Sequence, residues 1–408
     1  MSQKRKYGLF EVTGIELEYM VVDRSSLRIL PIVDVLFKDV VGHMTGDVER
    51  GDVEWSNELV AHVVELKTAK PTPDIARFNE LFHQEVRAIN QLLRARGAML
   101  LPTAAHPFMD PFTETTIWPH EHNEVYALYD RIFDCRGHGW SNLQSTHLNL
   151  PFANDEEFGQ LHAAIRILLP LIPALSASSP ILDGKVTGMF DSRMHAYLHH
   201  QERLPVLMGA LIPERVYDQA SYEQKIFKPI MNALAPFDTE KVMERHFSNS
   251  RGAIARFDRG AIEIRVIDIQ ECPAMDLGIA EIIVATLRRL VQGEWCSPEA
   301  YRTISEHELL RVFKQVIQNG RHSPVDHPEL LKTFGLYTAT STGSIWEHIF
   351  ATLAEDLSPL ATSCAKILAA RGCLAERIMG SLGERPDQHV MTHVYQELAG
   401  CLEDNRPF

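Results

Sequence analysis

The sequence predicts an α+β protein: an antiparallel β-sheet with helices packed on it, followed by a helical C-terminal region. Three observations predict it. Apolar and ionisable residues alternate at period two in Gly14–Tyr19, Gln144–Asn149 and Ala261–Asp268, which is the signature of strands with one wet and one buried face. The strand-like segments are too irregularly spaced for repeated βαβ units. Beyond Trp295 the alternation vanishes and helical spacing takes over.

In chain order, Ile15–Asp23 reads as a strand and Val60–Thr68 as another, ending at the breaker Lys70-Pro71-Thr72-Pro73. Ile75–Arg96 carries apolar residues at helical spacing (Ile75, Phe78, Leu81, Phe82, Val86, Ile89, Leu92, Leu93), with Asp74 as N-cap and Gly97 as stop. Ala98–Thr103 reads as a strand, Thr113–Asp134 as a loop turning helical around Glu124–Phe133, and Leu143–Pro151 as a strand. Glu156–Ser176 is a helix bent at Pro170 and Pro173. Ile254–Gln270 holds two strand segments or a hairpin around Asp258-Arg259-Gly260, and Ala274–Leu290 is a long apolar helix. Residues 300–408 read as several helices broken at His322-Ser323-Pro324, Ser358-Pro359 and Glu384-Arg385-Pro386. The expected division is residues 1–290 as one unit and 291–408 as a helical region packed on it.

Composition narrows the function classes. At 408 residues, about two to three units are the soft expectation. A 45% apolar and 23% charged composition is that of a soluble globular chain. No run of about 18 apolar residues is present, so no membrane span is expected. The basic start, with Lys4, Arg5 and Lys6, has no apolar stretch behind it, which argues against a secretory signal. The six cysteines are scattered without a C-x-x-C pair and read as reduced thiols of a cytoplasmic protein. A net charge of −14 opposes a nucleic-acid surface.

The strand alternation also carries the chemistry. Glu16 shares a face with Glu18, His147 with Asn149, and Glu263 with Arg265. Glu58 and Glu65 lie in or beside apolar segments as well. Should several of these converge, two carboxylates about 5 Å apart repel by roughly 3 kcal/mol at an effective dielectric near 20. Such a cluster needs cations, and hard oxygen donors with a single histidine suit Mg²⁺ or Mn²⁺. Arg265, beside Glu263, suits a phosphate oxygen or a transferring phosphoryl group. No P-loop and no strand-linked G-x-G-x-x-G is present, so a bound nucleotide would be held by metals and side chains.

Each signal has a bland counterpart. An E-x-E pair on a strand is commonly solvent-facing, Glu263-Ile264-Arg265 alone reads as a surface pair, and a lone His147 reads as a structural histidine. Glu58 and Glu65 are seven apart, which puts them on one face of a helix but on opposite faces of a strand. His106-Pro107 reads as a turn. Arg136-Gly137-His138-Gly139-Trp140 could approach a ligand. His199-His200 and His120-Glu121-His122 read as exposed, as do Arg193, Arg251 and Arg256. Ser176-Ala177-Ser178-Ser179-Pro180 lacks the frame of a nucleophile elbow and reads as a helix-end turn.

The ordered set Gly14–Tyr19, Asn57-Glu58-Leu59, Val64–Thr68, His106-Pro107-Phe108, Gln144–Pro151, Leu168–Pro180, Asp191-Ser192-Arg193 and Ile262–Asp268 resembles the type 2 glutamate–cysteine ligases and related carboxylate–amine ligases, over about residues 10–290. The resemblance assigns catalysis to the unit of residues 1–290 and implies a fold similar to the catalytic domain of glutamine synthetase, a curved antiparallel sheet with helices on its outer face. It implies an ATP- and Mg²⁺-dependent enzyme joining a small-molecule carboxylate to an amine through an acyl phosphate, with the γ-carboxylate of glutamate or an analogue as the acid. It further implies Glu16, Glu18, Glu58, Glu65, His147 and Glu263 as metal ligands, with Arg265 and Glu263 as catalytic residues. Arg265 and Lys67 are implied as nucleotide contacts, and Arg193, Arg256 and Thr68 as substrate contacts. A homo-oligomer is compatible with it. A small-molecule kinase on the same fold and a non-catalytic metal- or nucleotide-binding protein are the alternatives.

Overall fold

The structure, a computed structural model, describes residues 6–121, 123–383 and 386–408. Lys4 and Arg5 of the basic start, His122 and the Glu384-Arg385 break lie outside the described residues.

Eight strands form the main sheet among the described residues: β1 (Gly14–Asp23), β2 (Asp47–Arg50), β3 (Val53–Asn57), β4 (Val63–Thr68), β5 (Ala98–Leu101), β6 (Ser145–Pro151), β7 (Ala253–Arg256) and β8 (Ala261–Asp268). Their order is β2-β3-β4-β1-β6-β8-β7, every pair is antiparallel, and β5 pairs with the far end of β1 from Met20 to Asp23. The expected α+β class and antiparallel sheet are therefore present. Segment 254–270 resolves into the hairpin β7–β8. Strands β2 and β3 were not expected. Each is short and mostly polar, with only Val48 or Val53 and Trp55 turned inwards.

Helices follow from apolar spacing. They include α1 (Val33–Val41), α2 (Phe78–Arg94), α3 (Asn123–Phe133), α4 (Asp155–Leu168), α5 (Ser192–Tyr197) and α6 (Pro273–Val291). In α2, Phe78, Phe82, Val86, Ile89 and Leu93 form the buried stripe. Asp74 caps the turn before it, accepting the Arg77 amide at 3.2 Å. α4 ends at Leu168 and gives way to a tighter turn at Leu169–Leu171, because Pro170 supplies no amide hydrogen.

The inner face of the sheet carries Ile15, Leu17, Tyr19, Leu66, Leu148, Leu150, Ile262 and Ile264. These pack in one continuous core with Phe82 and Val86 of α2, Leu161 and Ile165 of α4, and Ile283 of α6. Burying these chains is what holds the helices on that side of the sheet. Beyond residue 300 the chain is helical as expected: α7 (Glu306–Asn319), α8 (Thr342–Thr352), α9 (Pro359–Arg371), α10 (Leu374–Leu382) and α11 (Gln388–Asp404). A two-residue ladder between Pro324–Val325 and Thr340–Ser341 interrupts it, too short to leave an alternation in the sequence. The last two helices cover the far end of the opposite face, where Met20, Val22, Val63 and Leu101 meet Ile378, Tyr395 and Leu398. No helix among the described residues is long and apolar enough to cross a membrane.

α6 and α9 approach closely at Gly278, where a Cβ would lie 2.5 Å from Cys364 Cβ and 2.9 Å from its Sγ. Gly278→Ala is therefore expected to overpack this contact and cost about 1–3 kcal/mol, read as a lower midpoint in thermal unfolding.

Candidate active site

Residues directly opposite one another in an antiparallel pair share a face. Glu16 lies opposite both Lys67 and His147, Glu18 opposite Glu65, Ser56 opposite Glu65, and Glu263 opposite Asn149. One face of β3, β4, β1, β6 and β8 thus gathers the ionisable residues, while the core occupies the other face.

Two groups on that face bring their ligand atoms within 4.8 Å of one another: Glu16, Glu65 and His147, and Glu18, Glu58 and Glu65. Glu65 belongs to both. Glu58 reaches the cluster because it lies past the end of β3, in the loop before β4, so strand parity does not govern it. Glu263 joins from β8, with its Oε1 4.0 Å from His147 Nδ1.

Hydrogen bonds order the cluster. His147 Nδ1 donates to Glu16 Oε2 at 2.9 Å, and its Nε2 lies 2.8 Å from Ser145 Oγ. Ser145 Oγ and its amide donate to Glu18 Oε2 at 3.0 and 2.7 Å. Asn149 Nδ2 donates to Glu16 Oε1 at 3.0 Å, and Ser56 Oγ to Glu65 Oε1 at 2.6 Å. Lys67 Nζ lies 3.0 Å from Glu54, 3.6 Å from Glu65 and 2.9 Å from Ser56 Oγ. Arg265 Nε sits 3.3 Å from Glu263 Oε1.

The electrostatics follow from burial and like charge. Burial, then Glu18 and Glu65, push the Glu58 carboxyl well above its usual range. Burial and Glu16 raise Glu65 to about 7, although Lys67 and Ser56 oppose it. Burial also raises Glu16, but the His147 hydrogen bond and charge, with Lys67 and Arg259, outweigh it and bring Glu16 down to about 2. Burial works against the His147 cation, yet Glu18 and Glu16 raise it overall. Lys67 and Arg265 are partly buried but held charged, by Glu65 and Glu54 in one case and by Glu263 in the other. The acidic excess is what a divalent cation would neutralise. Carboxylate oxygens with one imidazole are a donor set that fits Mg²⁺ or Mn²⁺.

All six expected metal-ligand positions therefore converge, with Lys67 and Arg265 on the same face. Arg256 stands at the edge, its Nη1 3.6 Å from Glu263 Oε2. Two expectations need correction. Thr68 points away from this face, since it neighbours Lys67 on the strand, and its hydroxyl accepts the Ile15 amide at 3.2 Å. Arg193 is only 2% exposed. Its Nε donates to Asp268 Oδ1 at 2.5 Å and its terminal nitrogens donate to the Arg265 carbonyl at 3.3 and 3.4 Å, so it presents no free guanidinium to a substrate.

Arg193, Arg251 and Arg256 are all buried rather than exposed. His200 is half-buried, between Tyr197 and Trp140 with ring centroids 4.2 and 4.5 Å away. His106 is a structural histidine in its turn, Nε2 2.6 Å from the Leu27 carbonyl. The glycine-rich stretch before Trp140 docks through Trp140 Nε1, which donates to the His200 carbonyl at 3.0 Å. Asn149 lies on the face expected from its spacing to His147, whereas Ser145, Ser56 and Tyr126 were missed. Ser145 was findable, being two residues before His147 on one strand. Tyr126, on α3, accepts from Asn57 Nδ2 at 3.2 Å, and burial and Glu58 raise its hydroxyl; no local signal marks it.

Comparison with known proteins gives the family. The family model described as "Glutamate-cysteine ligase family 2 (GCS2)" matches residues 12–333. An uncharacterized protein of Archaeoglobus fulgidus is 29% identical over 399 residues, covering 97% of this chain and 99% of its own. A protein of Gloeobacter violaceus named "Putative glutamate--cysteine ligase 2" is 22% identical over 323 residues, covering 78% of this chain and 73% of its own. One of the same name from Ruegeria pomeroyi is 25% identical over 183 residues, so the match spans 44% of each chain. Among solved structures, glutamate–cysteine ligase of Francisella tularensis in complex with AMP has the same fold, with a TM-score of 0.65 at 12% identity over 98% of this chain and 90% of that one. A bifunctional glutathione synthetase of Pasteurella multocida follows at a TM-score of 0.58 and 11% identity, covering 97% of this chain and 52% of that one. With the residues of the acidic face falling inside the matched span, the chain belongs to glutamate–cysteine ligase family 2.

Proposed function

We propose that this protein is an ATP-dependent ligase that forms an amide between a small-molecule carboxylate, the γ-carboxylate of glutamate or an analogue, and an amine. The observation that carries the reading is the convergence of Glu16, Glu18, Glu58, Glu65, His147 and Glu263 on one sheet face, flanked by Lys67 and Arg265. Family membership supports it.

In this reading the substrate carboxylate attacks the γ-phosphorus of ATP and ADP departs. The amine then attacks the acyl phosphate carbon, and phosphate leaves as the amide forms. The six acidic-face ligands would hold divalent ions, which supply charge neutralisation between the nucleotide phosphates and the incoming carboxylate. Arg265, partly buried and permanently charged, stabilises the phosphoryl group as it moves. Glu263 holds Arg265 in place through its Oε1, and Lys67 faces the phosphates from β4. Ser145 and Asn149 fix His147 and Glu16, so the chemistry takes place on pre-set dipoles with little reorganisation. Arg256 is engaged by Glu263 through Nη1 and by Asp258 through Nε and Nη2 at 3.3 Å, so it would meet a substrate carboxylate only by releasing Asp258.

Two experiments test the reading. ADP release should require both an acid and an amine from a mixed amino-acid pool, and mass spectrometry should find an amide; a stable phosphorylated small molecule would instead indicate a kinase. Glu16→Gln and Glu263→Gln should each lower turnover by about 100-fold or more, and full turnover in Glu263→Gln would refute the site.

Stability should also couple to pH and cation. Glu58 and Glu65 bind protons more tightly folded than unfolded, so their contribution is present below the usual 4.5 and is lost as pH rises through about 7 for Glu65. His147, raised, acts in the same sense. The histidines His62, His106, His162 and His200, held neutral by desolvation, act in the opposite sense, so the acidic face is read by comparison: Glu65→Gln is expected to raise the melting temperature of the metal-free protein more at pH 8 than at pH 5.5. Mn²⁺ or Mg²⁺ should restore stability more at pH 8, by about 2.7 kcal/mol at a hundredfold excess over Kd. Calorimetry finding no cation-dependent shift at either pH would count against the cation sites.

A further inference from the structure

Strand β8 is not regular where it passes the site. Its pairing with β6 jumps from Ile264 opposite Leu148 to Ile267 opposite Thr146. Two residues, Arg265 and Val266, therefore face a single one, His147. Such a bulge bends the strand and re-aims a side chain. Here the re-aimed side chain is Arg265, next to the acidic face. A bulge gives up ladder bonds, so something must hold it.

Three contacts do. The Arg265 amide donates to the Gly252 carbonyl at 2.9 Å. The Arg265 carbonyl accepts from both terminal nitrogens of Arg193. Arg193 is in turn locked by Asp268, which accepts its Nε, while Asp268 Oδ2 accepts the Ser178 amide at 2.8 Å and Ser179 Oγ at 3.2 Å. From the other side Val266 packs on Gly252, where a Cβ would come within 2.7 Å of Val266 Cγ1.

The Arg193–Asp268 pair is 2% and 0% exposed. A buried ion pair is weak evidence for stability, because desolvation offsets its attraction. Its geometry points to orientation instead: a rigid guanidinium fork spans Asp268 and the bulge carbonyl, which an ammonium cannot do. We propose that Arg193, held by Asp268, is a positioning residue that fixes the bulge and so aims Arg265 at the transferring phosphoryl group. The proposal rests on the ligase reading above for the role of Arg265, but the clamp itself does not.

The test uses the full chain with ATP, L-glutamate and a mixed amino-acid pool. Arg193→Lys should lower kcat by about 100-fold, with KM for ATP and for glutamate changed by no more than about twofold. In an Arg265→Lys background the same substitution should have no further effect, since it acts through Arg265. Gly252→Ala, which displaces Val266 from the other side, should reproduce the loss with Arg193 intact. Amide exchange at Arg265 and Val266 should quicken in Arg193→Lys by about tenfold or more, while amides of β1 and β4 stay protected. An equal loss in both backgrounds would overturn the proposal in favour of a general structural role. A raised KM for glutamate with kcat retained would overturn it in favour of a substrate contact. If the unaltered protein releases no ADP, the ligase reading fails, and exchange then decides the clamp alone: unchanged protection at Arg265 would overturn it.

Discussion

Everything in this protein is arranged around an electrostatic imbalance: more carboxylates share one desolvated face than nearby cations can neutralise. Glu58 and Glu65 answer it with raised proton affinities, Glu16 by pairing with His147, and Lys67 by standing among three acids. Such a concentration of like charge pushes apart whatever carries it. It survives because the opposite face of the same strands is an uninterrupted apolar layer clamped by α2, α4 and α6. The core does not merely support the site. Its cohesion holds the acids at a separation they would not choose.

How much of this was legible in the sequence depends on distance along the chain. Period-two alternation was enough to place Glu16 with Glu18 and Glu263 with Arg265, because both facts live within one strand. The same rule excluded Thr68 from the face that holds Lys67, since adjacent strand residues point oppositely, and the resemblance to a family obscured that simple parity. Glu58 was beyond any local rule, as its place depends on a loop after a strand too short to recognise. Arg193 and Asp268 are 75 positions apart, and nothing near either one announces that they meet. The irregularity in β8 is likewise silent, because Ile262 to Asp268 reads as an unbroken alternation whether or not one residue is squeezed out of the ladder.

Membership of glutamate–cysteine ligase family 2 and a fold shared with a solved ligase at 12% identity describe the scaffold more than the substrate. On that scaffold the strands supply a rigid acidic floor. The elements that close around it differ in kind: α3 contributes Tyr126, the segment before β6 contributes Trp140, and α5 contributes Tyr197 beside His200. Of these, Tyr126 lies close enough to Glu58, and Tyr197 to Arg265, to feel the charge of the acidic face.

Strand β1 changes character within four residues: Glu16 and Glu18 face the acidic cluster, whereas Met20 and Val22, on the same side, lie under α10 and α11. A slip of one residue against β4 would drive both carboxylates into the aliphatic layer. A slip of two would preserve the face but slide Glu18 beneath Tyr395 and Leu398. The chain's final helices thus serve as a gauge block, and any change that thins them loosens the alignment of acids more than 350 positions earlier.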